Sequence, residues 1–203
     1  MKKGVKIFLI VLLSITIVSG IVIPLLPFML RLQPTYGAPS LEFPIAEPMN
    51  ITSLAAYNTP NWGDPGLFHN GIDLKIENAT DIISPCHGIV LNIHSSVNPY
   101  KGHIMISVNI IVNLGWTVGL VFEPYSNDTV FHELQLSLIV VKAGQRVQPG
   151  DLIGTLLNGG EYPHLHYMVR HGSDVNPYLY SSDAAQLAFD EIATRTNTTI
   201  YYP

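Results

Sequence analysis

A chain of 203 residues with only 12% charged side chains, a net charge of −5 and a mean hydropathy of +0.28 is too apolar for an ordinary soluble domain. The excess sits at one end, because residues 7–30 carry no charge at all. Beyond them run about 170 residues of ordinary polarity, long enough for one packed domain, which excludes polytopic membrane, collagenous and largely disordered classes.

Residues 7–30 are long enough to cross a bilayer, and Lys2, Lys3 and Lys6 before them favour a cytoplasmic amino terminus with the remainder outside. Residues 1–30 are therefore expected to be a membrane anchor, with a cleaved secretory signal as the alternative. Either way the domain is exported, to stand on the outer face of the cell membrane or to be secreted. Four Asn-x-Ser/Thr triplets, at Asn50, Asn78, Asn127 and Asn197, agree with export. Beyond residue 30 there are fifteen acidic but only seven basic residues and no basic run, so a nucleic-acid partner is not expected.

Residues 31–50, with Pro34, Pro39, Pro44 and Pro48, read as an extended linker. The domain proper is expected over 51–203. Short Val- and Ile-rich runs at 82–83, 89–93, 104–112, 116–122, 152–157 and 166–169 predict strands, and Asn113-Leu114-Gly115 predicts a hairpin turn. Residues 128–141 fit both an alternating and a helical spacing. Residues 182–193 predict a terminal helix capped by Ser182. Cys86 is the only cysteine, so no intrachain disulfide can form and a small buried hydrophobe is the expected role. The fold class is mainly β, one antiparallel domain.

Two segments carry chemistry. In His69-Asn70-Gly71-Ile72-Asp73 an extended chain turns His69, Gly71 and Asp73 to one side, and Gly71 leaves space between the other two. In Pro163-His164-Leu165-His166 two imidazoles share a strand face. Imidazole nitrogens with a carboxylate oxygen suit zinc, with a position left for water.

In their order along the chain these segments resemble the lysostaphin-type zinc peptidases, which include bacterial glycyl-glycine endopeptidases. The resemblance runs over about residues 68–180. It takes in the His-x-Gly-x-Asp motif, the strand pair around Ser84-Pro85-Cys86-His87-Gly88, the hairpin from Val141 to Gly154, the segment Pro163-His164-Leu165-His166-Tyr167-Met168-Val169-Arg170, and Val175-Asn176-Pro177.

The resemblance implies a β-hairpin-rich, barrel-like peptidase domain with zinc on His69, Asp73 and His166. It makes His164 a catalytic histidine, and the substrate a peptide or cell-wall polymer whose peptide cross-links are hydrolysed. The family usually carries a second catalytic histidine in a Tyr-x-His-Leu segment. Here the strand 116–122 runs into Glu123, which occupies that place by order, while His132 in Phe131-His132-Glu133-Leu134 looks more like the local motif. Glu123 is favoured over His132. The departure also admits a second reading, a peptidase-like module without activity that binds a wall polymer or regulates a partner.

His87, His94, His103 and His171 match no ligand spacing and are expected to be surface or structural. Tyr162 in the loop before the His pair, and Trp62 and Tyr57 upstream, are candidates to wall a groove. A biotinyl- or lipoyl-carrier reading of the 144–154 hairpin fails, since no Lys stands at its tip.

Overall fold

A computed structural model describes residues 37–203, so the expected anchor over residues 1–30 lies outside the described residues. Among the described residues no helix is long and apolar enough to cross a membrane.

The elements obey the apolar alternation. In chain order they are β1 (Ile51–Ala55), β2 (Ile72–Ile76), β3 (Thr80–Ile83), β4 (Gly88–Val97), β5 (Ile104–Asn113), β6 (Trp116–Glu123), helix α1 (Thr129–Ser137), β7 (Arg146–Val147), β8 (Leu152–Leu156), β9 (His164–His171), β10 (Ser173–Val175) and helix α2 (Asp183–Thr196). The main sheet is ordered β1-β2-β9-β6-β5-β4-β7, with β10 paired to β9, and β3 and β8 make a separate two-stranded sheet. All the strand pairs are antiparallel.

The sheet does not close, which corrects the barrel-like expectation. Its outer strands β1 and β7 pair only inward, and β7 is two residues long, too short to extend a ladder around to the other edge.

One face of this sheet is apolar. Ile72, Leu74 and Ile76 of β2, Ile106, Val108 and Ile110 of β5, Val118, Leu120 and Phe122 of β6, and Leu165, Tyr167 and Val169 of β9 are all buried in one core. Period-two alternation then sends the residues between them to the opposite face. That face holds Asp73, His103, Met105, Val121, Glu123, His164, His166 and Met168, and it lines a groove of about 830 Å³. The fold thus separates packing from chemistry strand by strand.

Two segments depart from expectation. Residues 31–50 are not a spacer throughout: Leu41, Phe43 and Ile45 are buried, Leu41 N–H donates to Tyr180 O, and Glu42 N–H donates to Pro85 O. The domain therefore begins about ten residues before the expected boundary at 51, because every second side chain of this stretch is apolar and adds to the core. Residues 128–141 resolve in favour of a helix, α1, whose amino end is capped by Asp128 accepting from Val130 N–H. Its buried residue is Gln135, which ties the helix down by donating to Thr155 O and accepting from Leu157 N–H. As expected, Ser182 caps α2, and α2 lays Ala185, Phe189 and Ile192 on the core.

Candidate metal centre and active site

β2 and β9 are neighbours, with Asp73 opposite His166 in the register, and His69 enters from the loop just before β2. The three side chains converge. His69 Nε2 lies 3.0 Å from Asp73 Oδ1 and 3.1 Å from His166 Nδ1, and His166 Nδ1 lies 2.6 Å from Asp73 Oδ1. Tetrahedral zinc with bonds of about 2.0–2.1 Å sets its ligand atoms about 3.3 Å apart, so the triangle is close to that of a donor set.

Tautomers support the same reading. His69 Nδ1–H donates to Ala56 O at 2.7 Å, which turns the bare lone pair of Nε2 toward the triangle. Two ring nitrogens and a carboxylate that is 2% exposed then share a space with too few protons to satisfy them, a charge arrangement that a divalent cation resolves. The orientation is fixed further by Trp62, whose ring stacks on His69 at 4.2 Å.

Gly71 is required here, for a reason slightly different from the sequence expectation. A Cβ at this position would sit 2.7 Å from Tyr167 O and 2.8 Å from His166 Cε1. The space Gly71 vacates is filled by the His166 ring itself rather than left open for an ion.

Next to the triangle, His164 Nδ1–H donates to Tyr162 O at 2.8 Å, so its Nε2 faces the groove. That atom is 3.6 Å from Asp73 Oδ2 and 3.6 Å from Glu123 Oε2. Burial alone would lower the pKa of His164, but Asp73 and Glu123 outweigh it and raise the value to about 9. Burial likewise pushes Glu123 up, and the hydrogen bond from His103 together with the neighbouring His164 brings it down to about 2. Asp73 is held well below the usual carboxylate range, with burial opposed by the charges of His164 and His166. With no cation in the triangle, the groove at neutral pH thus presents ionised carboxylates beside a protonated imidazole.

The structure therefore brings together His69, Asp73, His166, His164 and Glu123. It does not bring His132 to them: that residue lies on α1 and is not part of the groove lining. A helix begins at Thr129, so the strand that would have carried His132 into the sheet ends at Glu123.

One residue that sequence reasoning set aside belongs to this site. His103 is 3% exposed and its Nε2–H donates to Glu123 Oε2 at 2.6 Å. A signal for it exists in the hairpin turn at residues 113–115. Counting back from that turn pairs Ile106 with Phe122, which sets position 103 on the Glu123 face, just past its partner. His94, also set aside, lines the groove, whereas His171 stacks on Trp116 at 4.2 Å. Tyr162 lines the groove with Lys75 4.5 Å from its ring centre, and burial raises its pKa, which keeps the phenol a donor. Trp62 is a groove wall, but Tyr57 is not.

The sequence model of peptidase family M23 matches residues 67–177, more than half of the chain. No curated protein sequence matches. Among solved structures, Csd3 of Helicobacter pylori is 21% identical over 79% of this chain and 41% of its own, with a TM-score of 0.48. A zinc-containing peptidase from Vibrio cholerae is 20% identical over 67% of this chain and 38% of its own, with a TM-score of 0.47. The catalytic domain of the antimicrobial peptidase lysostaphin from Staphylococcus simulans is 20% identical over 66% of this chain and 93% of its own, with a TM-score of 0.45. The chain spans about two fifths of the length of the first two.

Proposed function

The chain belongs to peptidase family M23, and we propose that it is a zinc-dependent endopeptidase that works outside the cytoplasm on peptide bonds of a cell-wall polymer. Residues 7–30 would tether it to the membrane, or export it if they are cleaved. The observation that carries the reading is the meeting, in one groove, of the His69/Asp73/His166 triangle with a second pair, His164 and Glu123.

His69, Asp73 and His166 would hold the ion, which when bound lowers the pKa of a water and polarises the scissile carbonyl. Glu123, ionised and 3.6 Å from His164, accepts a proton from the attacking water as its oxygen bonds to the carbonyl carbon. His164, aimed into the groove by the Tyr162 carbonyl, donates in its protonated form a hydrogen bond to the oxygen that gains charge. When the C–N bond breaks, the proton on Glu123 passes to the departing amine, and the carboxylate is regenerated. The groove walls Trp62 and Tyr162 would bracket the extended peptide.

The test is release of new amino groups from purified peptidoglycan and from oligoglycine by the zinc-loaded protein, with His164→Ala as control. Cleavage that His164→Ala abolishes supports the reading. Binding of wall polymer without cleavage would instead establish the inactive, peptidase-like module.

A further inference from the structure

Glu123 is gripped by a structure of its own. The tip of the β4–β5 hairpin, residues 98–103, closes on itself: Asn98 N–H donates to His103 O and Gly102 N–H to Asn98 O, each at 2.8 Å. Gly102 makes the closure at φ +75°, a left-handed conformation. The Asn98 side-chain oxygen accepts from Tyr100 and Lys101 N–H, both at 3.0 Å, which leaves its Nδ2 as donor. That donor reaches Glu123 Oε2 at 3.2 Å, and His103 Nε2–H reaches the same oxygen at 2.6 Å. Among the described residues, Oε1 of Glu123 has no protein hydrogen-bond partner, so it is the oxygen left for water.

Burial decides the tautomer of His103. Its Nδ1 is buried without any partner. An Nδ1–H tautomer would put an N–H there with no acceptor and leave Nε2 with no proton to donate, whereas an Nε2–H tautomer satisfies Glu123; the ring packs against Tyr125, with the ring centres 4.5 Å apart. His103 therefore donates to Glu123 through Nε2–H.

We propose that His103, with Asn98, is the positioning device that makes Glu123 work where the family carries a histidine: the pair fixes Oε2 and aims Oε1 at the water. The inference rests on the peptidase reading but is tested apart from it. The groups facing Glu123 are Asn98 from the end of β4, His103 ahead of β5, and His164 and His166 from β9, with Asp73 of β2 beyond His164 and Tyr125 against His103.

The first arm needs no activity. In the full-length, zinc-loaded protein, nitrogen NMR of His103 should show a proton on Nε2 hydrogen-bonded to Glu123. Carbon NMR of the Glu123 carboxyl should show its titration moving up by a unit or more in His103→Phe. The second arm is kinetic. His103→Phe, which keeps a ring against Tyr125, should lower kcat by about 10²-fold with KM and zinc content unchanged. His103→Gln, which restores a donor, should recover part of that loss, and His103→Phe should cost nothing further in a Glu123→Gln background. An Nδ1–H tautomer, an unmoved Glu123 titration, or an equal kinetic loss in both backgrounds would overturn the assignment. If the wild type cleaves nothing, the peptidase reading fails while the NMR arm still decides the grip on Glu123.

Discussion

Glu123 stands directly opposite His164 across the β6–β9 pairing, with its Oε2 3.6 Å from Nε2 of the imidazole. Neither belongs to the triangle of nitrogen and oxygen donors beside them. Glu123→Gln and His164→Ala should each reduce hydrolysis by about 10²–10⁴-fold, the usual range for lost acid–base catalysis. Zinc content should stay at the wild-type level. Loss of zinc in Glu123→Gln would move that residue from proton transfer to metal binding.

The metal centre should be sensitive to a methyl group that touches no ligand atom directly. In Gly71→Ala the new Cβ would press on Tyr167 O and on the His166 ring, both under 3 Å away. Displacing His166 from Asp73 should weaken zinc about 10–100-fold, comparable to losing a hydrogen bond that orients a ligand. Competition with a chromogenic chelator measures it. Unchanged affinity would mean that the ring can slide without cost.

Acid should unfold the metal-free protein partly through Glu123. Its pKa in the fold is about 2, below the ordinary carboxylate value. A depressed pKa contributes stability that is full above about pH 4.5 and is lost as pH falls toward 2, of order 3 kcal/mol at most for this residue. Denaturant midpoints in the presence of a chelator should therefore fall steeply between about pH 4.5 and 2. Glu123→Gln should make the fall shallower. A slope identical in the two proteins would contradict the buried, hydrogen-bonded carboxylate.

Cys86 should behave as core rather than as a nucleophile. Burial pushes its thiol up to about 12, and the Ser84 hydroxyl only partly offsets this. Native protein at pH 8 should resist alkylation, and unfolded protein should react fully. Rapid labelling of the native state would show that the bend between β3 and β4, around Ser84 and Cys86, opens.

Much of this arrangement could be read from the chain. Strands β4, β5 and β6 announce themselves by Val and Ile runs and β8 and β9 by shorter apolar runs, and the spacing of His69 to Asp73 and of His164 to His166 marks the donor set. The parts that escaped reading depend on register or on conflicting local signals. His103 looks unattached until the turn at 113–115 fixes β5 against β6. Leu41, Phe43 and Ile45 alternate as a buried strand would, but the prolines among them suggest a free linker. Helix α1 is ambiguous by spacing because the side chain it buries is Gln135, which no hydrophobic pattern reveals.

The most direct measurement is the zinc content of the purified full-length protein after reconstitution. One zinc per chain is expected, lost in Asp73→Ala and retained in Glu123→Gln. Absence of stoichiometric zinc from the wild-type protein under the same conditions would contradict the zinc-dependent reading.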